Sequence, residues 1–130
     1  LHCDNTDHAS IVTATMKTAT LNHISFDMPN LESCMRGGGR MRDAGYPIEW
    51  GPGRHGPGNN VFCYFAGPEE FPLEYTAEVE QIDDSYPYNG PEYWKWPVGR
   101  LDHWGITPPH TQRWKRVQDL IKFTPGAYAL

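Results

Sequence analysis

One helical stripe set inside a run of strand-like stretches limits what this chain can become. Leu31, Cys34, Met35, Gly38 and Met41 recur at spacings of three and four, so they share one face of a helix. Pro29 and Asn30 open that helix, Asn30 as the cap of its first turn, and Gly45 closes it. Before it, residues 21–28 alternate: Ile24, Phe26 and Met28 lie on one face, Leu21, His23, Ser25 and Asp27 on the other. After it, residues 46–51, 61–65 and 71–79 read as three more strands between Gly- and Pro-rich turns. The order is strand, helix, strand, strand, strand. Gly37, Gly38 and Gly39 inside the helix cost ~1 kcal/mol each relative to alanine, which predicts close packing against a sheet or a break.

The flanks differ in texture. Residues 1–15 read as a hairpin turning at Asp4, Asn5, Thr6 and Asp7, and the chain reads as starting inside a fold. Residues 83–130 form an irregular, Pro-rich, aromatic tail with Trp94, Trp96 and Trp104, too much apolar area to leave in water. Within it, 113–123 reads as a short amphipathic helix burying Trp114, Val117, Leu120 and Ile121, and the end from Thr124 is expected to fray.

Composition narrows the partners. The 130 residues carry a formal charge of −5 with the histidines neutral, and no long basic block, which argues against nucleic acid. No apolar run approaches ~20 residues, so no membrane span is expected, and no secretion signal is read at the start. Three cysteines without a CxxC pair suit a reducing cytoplasm.

The densest chemical signal runs from Gly53, Arg54 and His55 through Asn59 to Tyr64, with Glu74 ten residues further on. Glu74 sits among Pro72, Leu73 and Tyr75, where a carboxylate is costly unless paired or metal-bound. His23 is a polar residue in the middle of an alternating strand. The GxGxxG match at Gly51, Gly53 and Gly56 is no dinucleotide site, because a strand rather than a helix follows it. Arg36, Arg40 and Arg42 read as a solvated helix face; His2, His103 and His110 belong to no constellation and read as surface residues.

These residues resemble the type I extradiol ring-cleaving dioxygenases of the glyoxalase/bleomycin-resistance/dioxygenase (vicinal oxygen chelate) superfamily. The resemblance implies an α+β fold: a βαβββ module of a half-open β-barrel, followed by the aromatic-rich tail. It makes residues 1–20 the last two strands of a preceding module, 21–82 a complete module and 83–130 a subgroup extension. It implies that His23 and Glu74 ligate the metal, Fe(2+) or alternatively Mn(2+), with a further histidine ligand from a segment before Leu1. His8 is implied as the acid–base residue, Tyr64 as the tyrosine beside the substrate, and His55 and Asn59 as second-shell or substrate-binding residues. Cys63, Gly67, Glu70 and Asn59 depart from the family's usual residues.

The implied chemistry is ring opening of a catechol-type diol by dioxygen. Two imidazoles and one carboxylate on one face of an iron leave positions for both reactants. A neutral histidine, with an ordinary pKa of ~6.5, can take a catechol proton and later return one. The alternatives are a metal-free module that sequesters a planar aromatic and a glyoxalase-like isomerase. Exposed sheet edges point to a homo-oligomer.

Overall fold

Asn30 divides the first strands from the helix, and its side chain does so directly: Oδ1 accepts the Ser33 amide at 2.8 Å. The computed structural model describes residues 1, 3–15, 17–87, 89, 92–95 and 98–123. Two short strands, β1 (Thr20–Leu21) and β2 (Ile24–Asp27), lead into helix α1 (Leu31–Asp43). Strands β3 (Ile48–Arg54), β4 (Val61–Ala66) and β5 (Pro72–Ala77) follow, with a 3-10 turn at Pro68–Glu70. The tail adds helix α2 (Gln112–Val117) and strand β6 (Ile121–Lys122). The main sheet has the order β2-β5-β4-β3, with β2 parallel to β5 and the other pairs antiparallel. From β2 to β5 this is the βαβββ module expected from the sequence. Among the described residues no helix is long and apolar enough to cross a membrane.

Strand β4 is buried along its whole length, and its alternation builds two cores. Val61, Cys63 and Phe65 meet Cys34 of α1 on one face. Phe62, Tyr64 and Ala66 meet Trp50, Trp114 and Val117 on the other.

The glycines of α1 are resolved in favour of close packing, because the helix runs unbroken to Asp43. A Cβ on Gly37 would lie 3.0 Å from the Tyr75 ring and one on Gly38 3.3 Å from Ile48, whereas Gly39 faces open space. The two outer positions therefore respond oppositely to alanine. Gly39→Ala is expected to stabilise the chain by about 0.5–1 kcal/mol through helix propensity. Gly37→Ala is expected to cost about 1 kcal/mol net, since overpacking outweighs the same gain. Urea unfolding of both variants checks the pair. The helix ends with Ala44 as its cap and Gly45 just beyond at φ +92°, where the left-handed backbone favours glycine.

Several expectations fail. The hairpin over 1–15 forms no ladder: its described residues hold a reciprocal backbone pair between Leu1 and Ile11 and an isolated bridge between Asp7 and Gln81, and Ile11 and Val12 are exposed. A two-stranded ribbon with no apolar face to bury is marginal in water. Residues 21–28 are two strands rather than one, because Leu21 pairs with Ile121 of β6 while Ile24 pairs with Leu73 of β5. The terminal helix stops at Val117; Leu120 is 48% exposed, and Ile121 is drawn into β6 instead of packing in a helical stripe. Trp94 is half-buried, and Trp104 is exposed with Arg54 over its ring at 5.2 Å. His2, Trp96 and the segment from Thr124 lie outside the described residues.

Candidate functional site

The second core carries an unusual load of polar atoms on its sheet face. Tyr64 and Glu74 are direct cross-strand partners on β4 and β5. His23 immediately precedes β2, the parallel neighbour of β5, and His55 immediately follows β3. Four elements thus deliver four polar side chains to one place. Glu74 is only 3% exposed. Its Oε2 lies 3.1 Å from His23 Nε2 and its Oε1 3.6 Å from His55 Nε2. His55 Nε2 in turn lies 3.0 Å from the Tyr64 hydroxyl. The His23 and Tyr64 rings meet edge to face at 4.9 Å.

Charge is concentrated on the acid. Burial pushes the Glu74 carboxyl up, but the His23 and His55 rings beside it outweigh burial and hold the group at about 2. Burial first, and the Glu74 charge second, hold the Tyr64 phenol well above its ordinary value, so it keeps its proton at neutral pH. A depressed carboxylate adds stability above its unfolded value and loses it as pH falls through the folded one. The metal-free chain is therefore expected to lose this contribution between about pH 4.5 and about 2. Acid unfolding followed by circular dichroism should show a weaker dependence over that window in Glu74→Gln, which cannot titrate.

The donor set fits a small divalent ion. His23 Nδ1 lies 2.7 Å from Asn22 Oδ1, so the proton on that nitrogen is held by the amide oxygen. Nε2 then faces the carboxylate either as an imidazolium N–H or as a lone pair, and a lone pair beside a carboxylate calls for a cation. Two donors on one ion at about 2.1 Å each stand about 3.0 Å apart at a right angle, close to the spacing seen here. Glu74 Oε1 is buried with no hydrogen-bond partner, a further acceptor awaiting a cation or proton. Among the described residues, no group of three His, Cys, Asp or Glu side chains is placed to hold a metal. His23 and Glu74 are two donors of the kind such an ion takes.

His23, Glu74, Tyr64 and His55 are thus brought together. His8 and Asn59 sit elsewhere, at the turn between β3 and β4. A Cβ on Gly58 would lie 3.6 Å from His8 Nδ1, and the His8 ring meets Trp94 at 6.2 Å. Asn59 is exposed at φ +48°, and its carbonyl accepts from Arg54 at 2.5 Å. The Gly51 to Gly56 stretch serves close approach: a Cβ on Gly53 would strike the Phe62 ring and Thr107.

Sequence reasoning overlooked three contributors. Asn22 orients His23, and Trp50 stacks on Tyr64 at 4.9 Å with 24° between ring planes. Trp50 stands opposite Tyr64 in the ladder, a relation that only the register reveals. His110, read as a surface residue, is half-buried with its ring perpendicular to Trp50 at 4.4 Å. His103 is exposed, as read.

No family model matches the chain. Metapyrocatechase 2 from Cupriavidus necator is 28% identical over 109 residues, covering 79% of this chain and 32% of that protein. The solved structure of the Mn(II)-bound glyoxalase from Novosphingobium aromaticivorans is 39% identical, with a TM-score of 0.56, covering 71% of this chain and 30% of that one. The halotolerant catechol dioxygenase BphC is 21% identical with a TM-score of 0.46, covering 51% of this chain and 22% of its own. The chain spans about a third of the length of the curated relative it matches. Fold and likeness together define a protein of the vicinal oxygen chelate superfamily. Within that superfamily the curated relative is a metapyrocatechase and the 39% identical solved structure a glyoxalase.

Proposed function

We propose that this chain supplies two metal ligands and the substrate-side tyrosine of an extradiol dioxygenase acting on a catechol-type diol. The observation that carries the reading is the convergence of His23 Nε2 on the buried, partly unsatisfied carboxylate of Glu74. The likeness to a metapyrocatechase supports the reaction class. His23 and Glu74 would hold Fe(2+), or Mn(2+), together with a histidine from outside this chain. When bound, the ion supplies open positions that gather catecholate and dioxygen and lets electron density pass between them.

The chain's own residues do the rest. Asn22 keeps the His23 Nδ1 proton in place, so Nε2 remains the ligating atom. The Tyr64 hydroxyl, protonated at neutral pH, offers a hydrogen bond beside the carboxylate, with its direction set by His55. Trp50 and Trp114 cover the other ring contacts of Tyr64 and keep water from its apolar faces. His8 is the proposed acid–base residue, with Asn59 and His55 toward the substrate.

The test is direct. The protein containing this chain is loaded with Fe(2+) without air, then given a panel of catechols and air. Yellow ring-opened products with matching oxygen uptake are expected. No product from any catechol would overturn the reading. The 39% likeness to a Mn(II)-bound glyoxalase favours a second reading, isomerisation on the same two donors. Turnover without oxygen uptake would select it. We also propose a cytoplasmic protein, since three cysteines without a CxxC pair suit a reducing compartment, and a homo-oligomer, since edge strand β2 leaves Ile24 43% and Phe26 51% exposed. A clean monomer on size exclusion would count against that.

A further inference from the structure

The irregular tail returns to β3 at several points, at Pro52 and Arg54 among them, and one further point is next to the site. The Thr111 amide donates to the Glu49 carbonyl at 3.3 Å, and the Thr111 hydroxyl donates to the Glu49 carboxylate. Arg113 pairs with Glu49 at 3.2 Å and with Glu70. These contacts fasten residues 110–113 beside Trp50, the next residue along β3.

Trp50 is held in an unusual way. Its indole N–H is buried with no hydrogen-bond partner, so no polar contact sets the ring's orientation. Packing must set it. The ring neighbours are Phe62 at 4.4 Å, Tyr64 at 4.9 Å, His55 at 5.7 Å and His110, perpendicular, at 4.4 Å. Nε2 of His110 is likewise buried without a partner, so this imidazole contributes its ring and edge rather than a hydrogen bond. Burial, and Lys115 nearby, push its pKa down, consistent with a neutral ring against indole.

We propose that His110 is a positioning residue for the candidate site: its ring fixes Trp50, Trp50 fixes Tyr64, and the Tyr64 hydroxyl is thereby kept on His55. The contacts run without a gap, from His110 to Trp50, from Trp50 to Tyr64 and from the Tyr64 hydroxyl to His55 at 3.0 Å. The tail thus helps to assemble the site rather than merely covering the sheet. The inference rests on these four residues forming the site, as in the proposed function, but not on which reaction the site performs.

The test uses the metal-free chain with 13C-labelled tyrosine, the Tyr64 ring signals being assigned with Tyr64→Phe. Stacking on Trp50 displaces those signals from ordinary tyrosine positions. The displacement is expected to persist in His110→Phe, which keeps a ring, and to fall by more than half in His110→Ala. Loss of stability alone would lower the melting temperature without moving these signals in the folded chain. Unmoved signals in His110→Ala, or a loss in His110→Phe as large as in His110→Ala, would overturn the proposal. If His110→Ala does not fold, His110→Leu, which keeps bulk without a ring, is read in the same way. The readout needs neither metal nor substrate, so this inference and the oxygenase reading fail separately.

Discussion

Glu74→Gln is expected to lower affinity for Fe(2+) or Mn(2+) by more than ~100-fold, since even outer-shell partners of a metal ligand are worth 10–100-fold. Glutamine keeps the shape of the side chain and removes the only carboxylate in the quartet of His23, His55, Tyr64 and Glu74. Stability should fall by only about 1–3 kcal/mol, the cost of weakening the close contact to His23 and the longer one to His55. The chain therefore stays folded while binding is lost. Anaerobic titration calorimetry beside a thermal scan separates the two effects. Metal affinity equal to that of the unsubstituted chain would leave His23 and Glu74 as a buried ion pair with no ligand role.

Trp114→Ala has the largest expected effect on the fold. The side chain is 1% exposed and packs from α2 against Tyr64 at 4.9 Å. Removing a buried tryptophan costs about 3–5 kcal/mol, a large share of the 5–15 kcal/mol that holds a domain together. A fall in melting temperature on the order of 10 °C or more follows. Leu120→Ala is the contrast. A helix continuing past Val117 would bury Leu120 and make the two losses comparable. With the side chain half in water, about 0.5 kcal/mol is expected. Thermal scans of the two variants distinguish an ending at Val117 from a longer amphipathic helix.

The module was legible because its signals are local. Asn30 caps where it stands, the stripe through Leu31, Cys34 and Met41 needs only helical period, and the run Val61 to Phe65 between turns marks a strand, whose burial on both faces the structure adds. The quartet was legible only through resemblance. Nothing in the spacing of His23, His55, Tyr64 and Glu74 states that they meet, and the same resemblance also assigns His8 and Asn59, which lie at the β3–β4 turn. The failures share a cause. Residues 1–15 and 113–123 carry acceptable local patterns, but a pattern becomes an element only when something covers its apolar face. Ile11 and Val12 found no cover, and Ile121 found β1.

From its order of residues alone, this chain determined a helix with its cap, the strands around it and their succession, because period and turn chemistry act over a few neighbours. Only the tertiary structure decided that β2 lies parallel to β5, that Glu74 stands across from Tyr64 with His23 and His55 against it, and that His110 comes back to Trp50. Those are relations between residues 10 to 60 positions apart, and they depend on register and on which face of the sheet the tail covers.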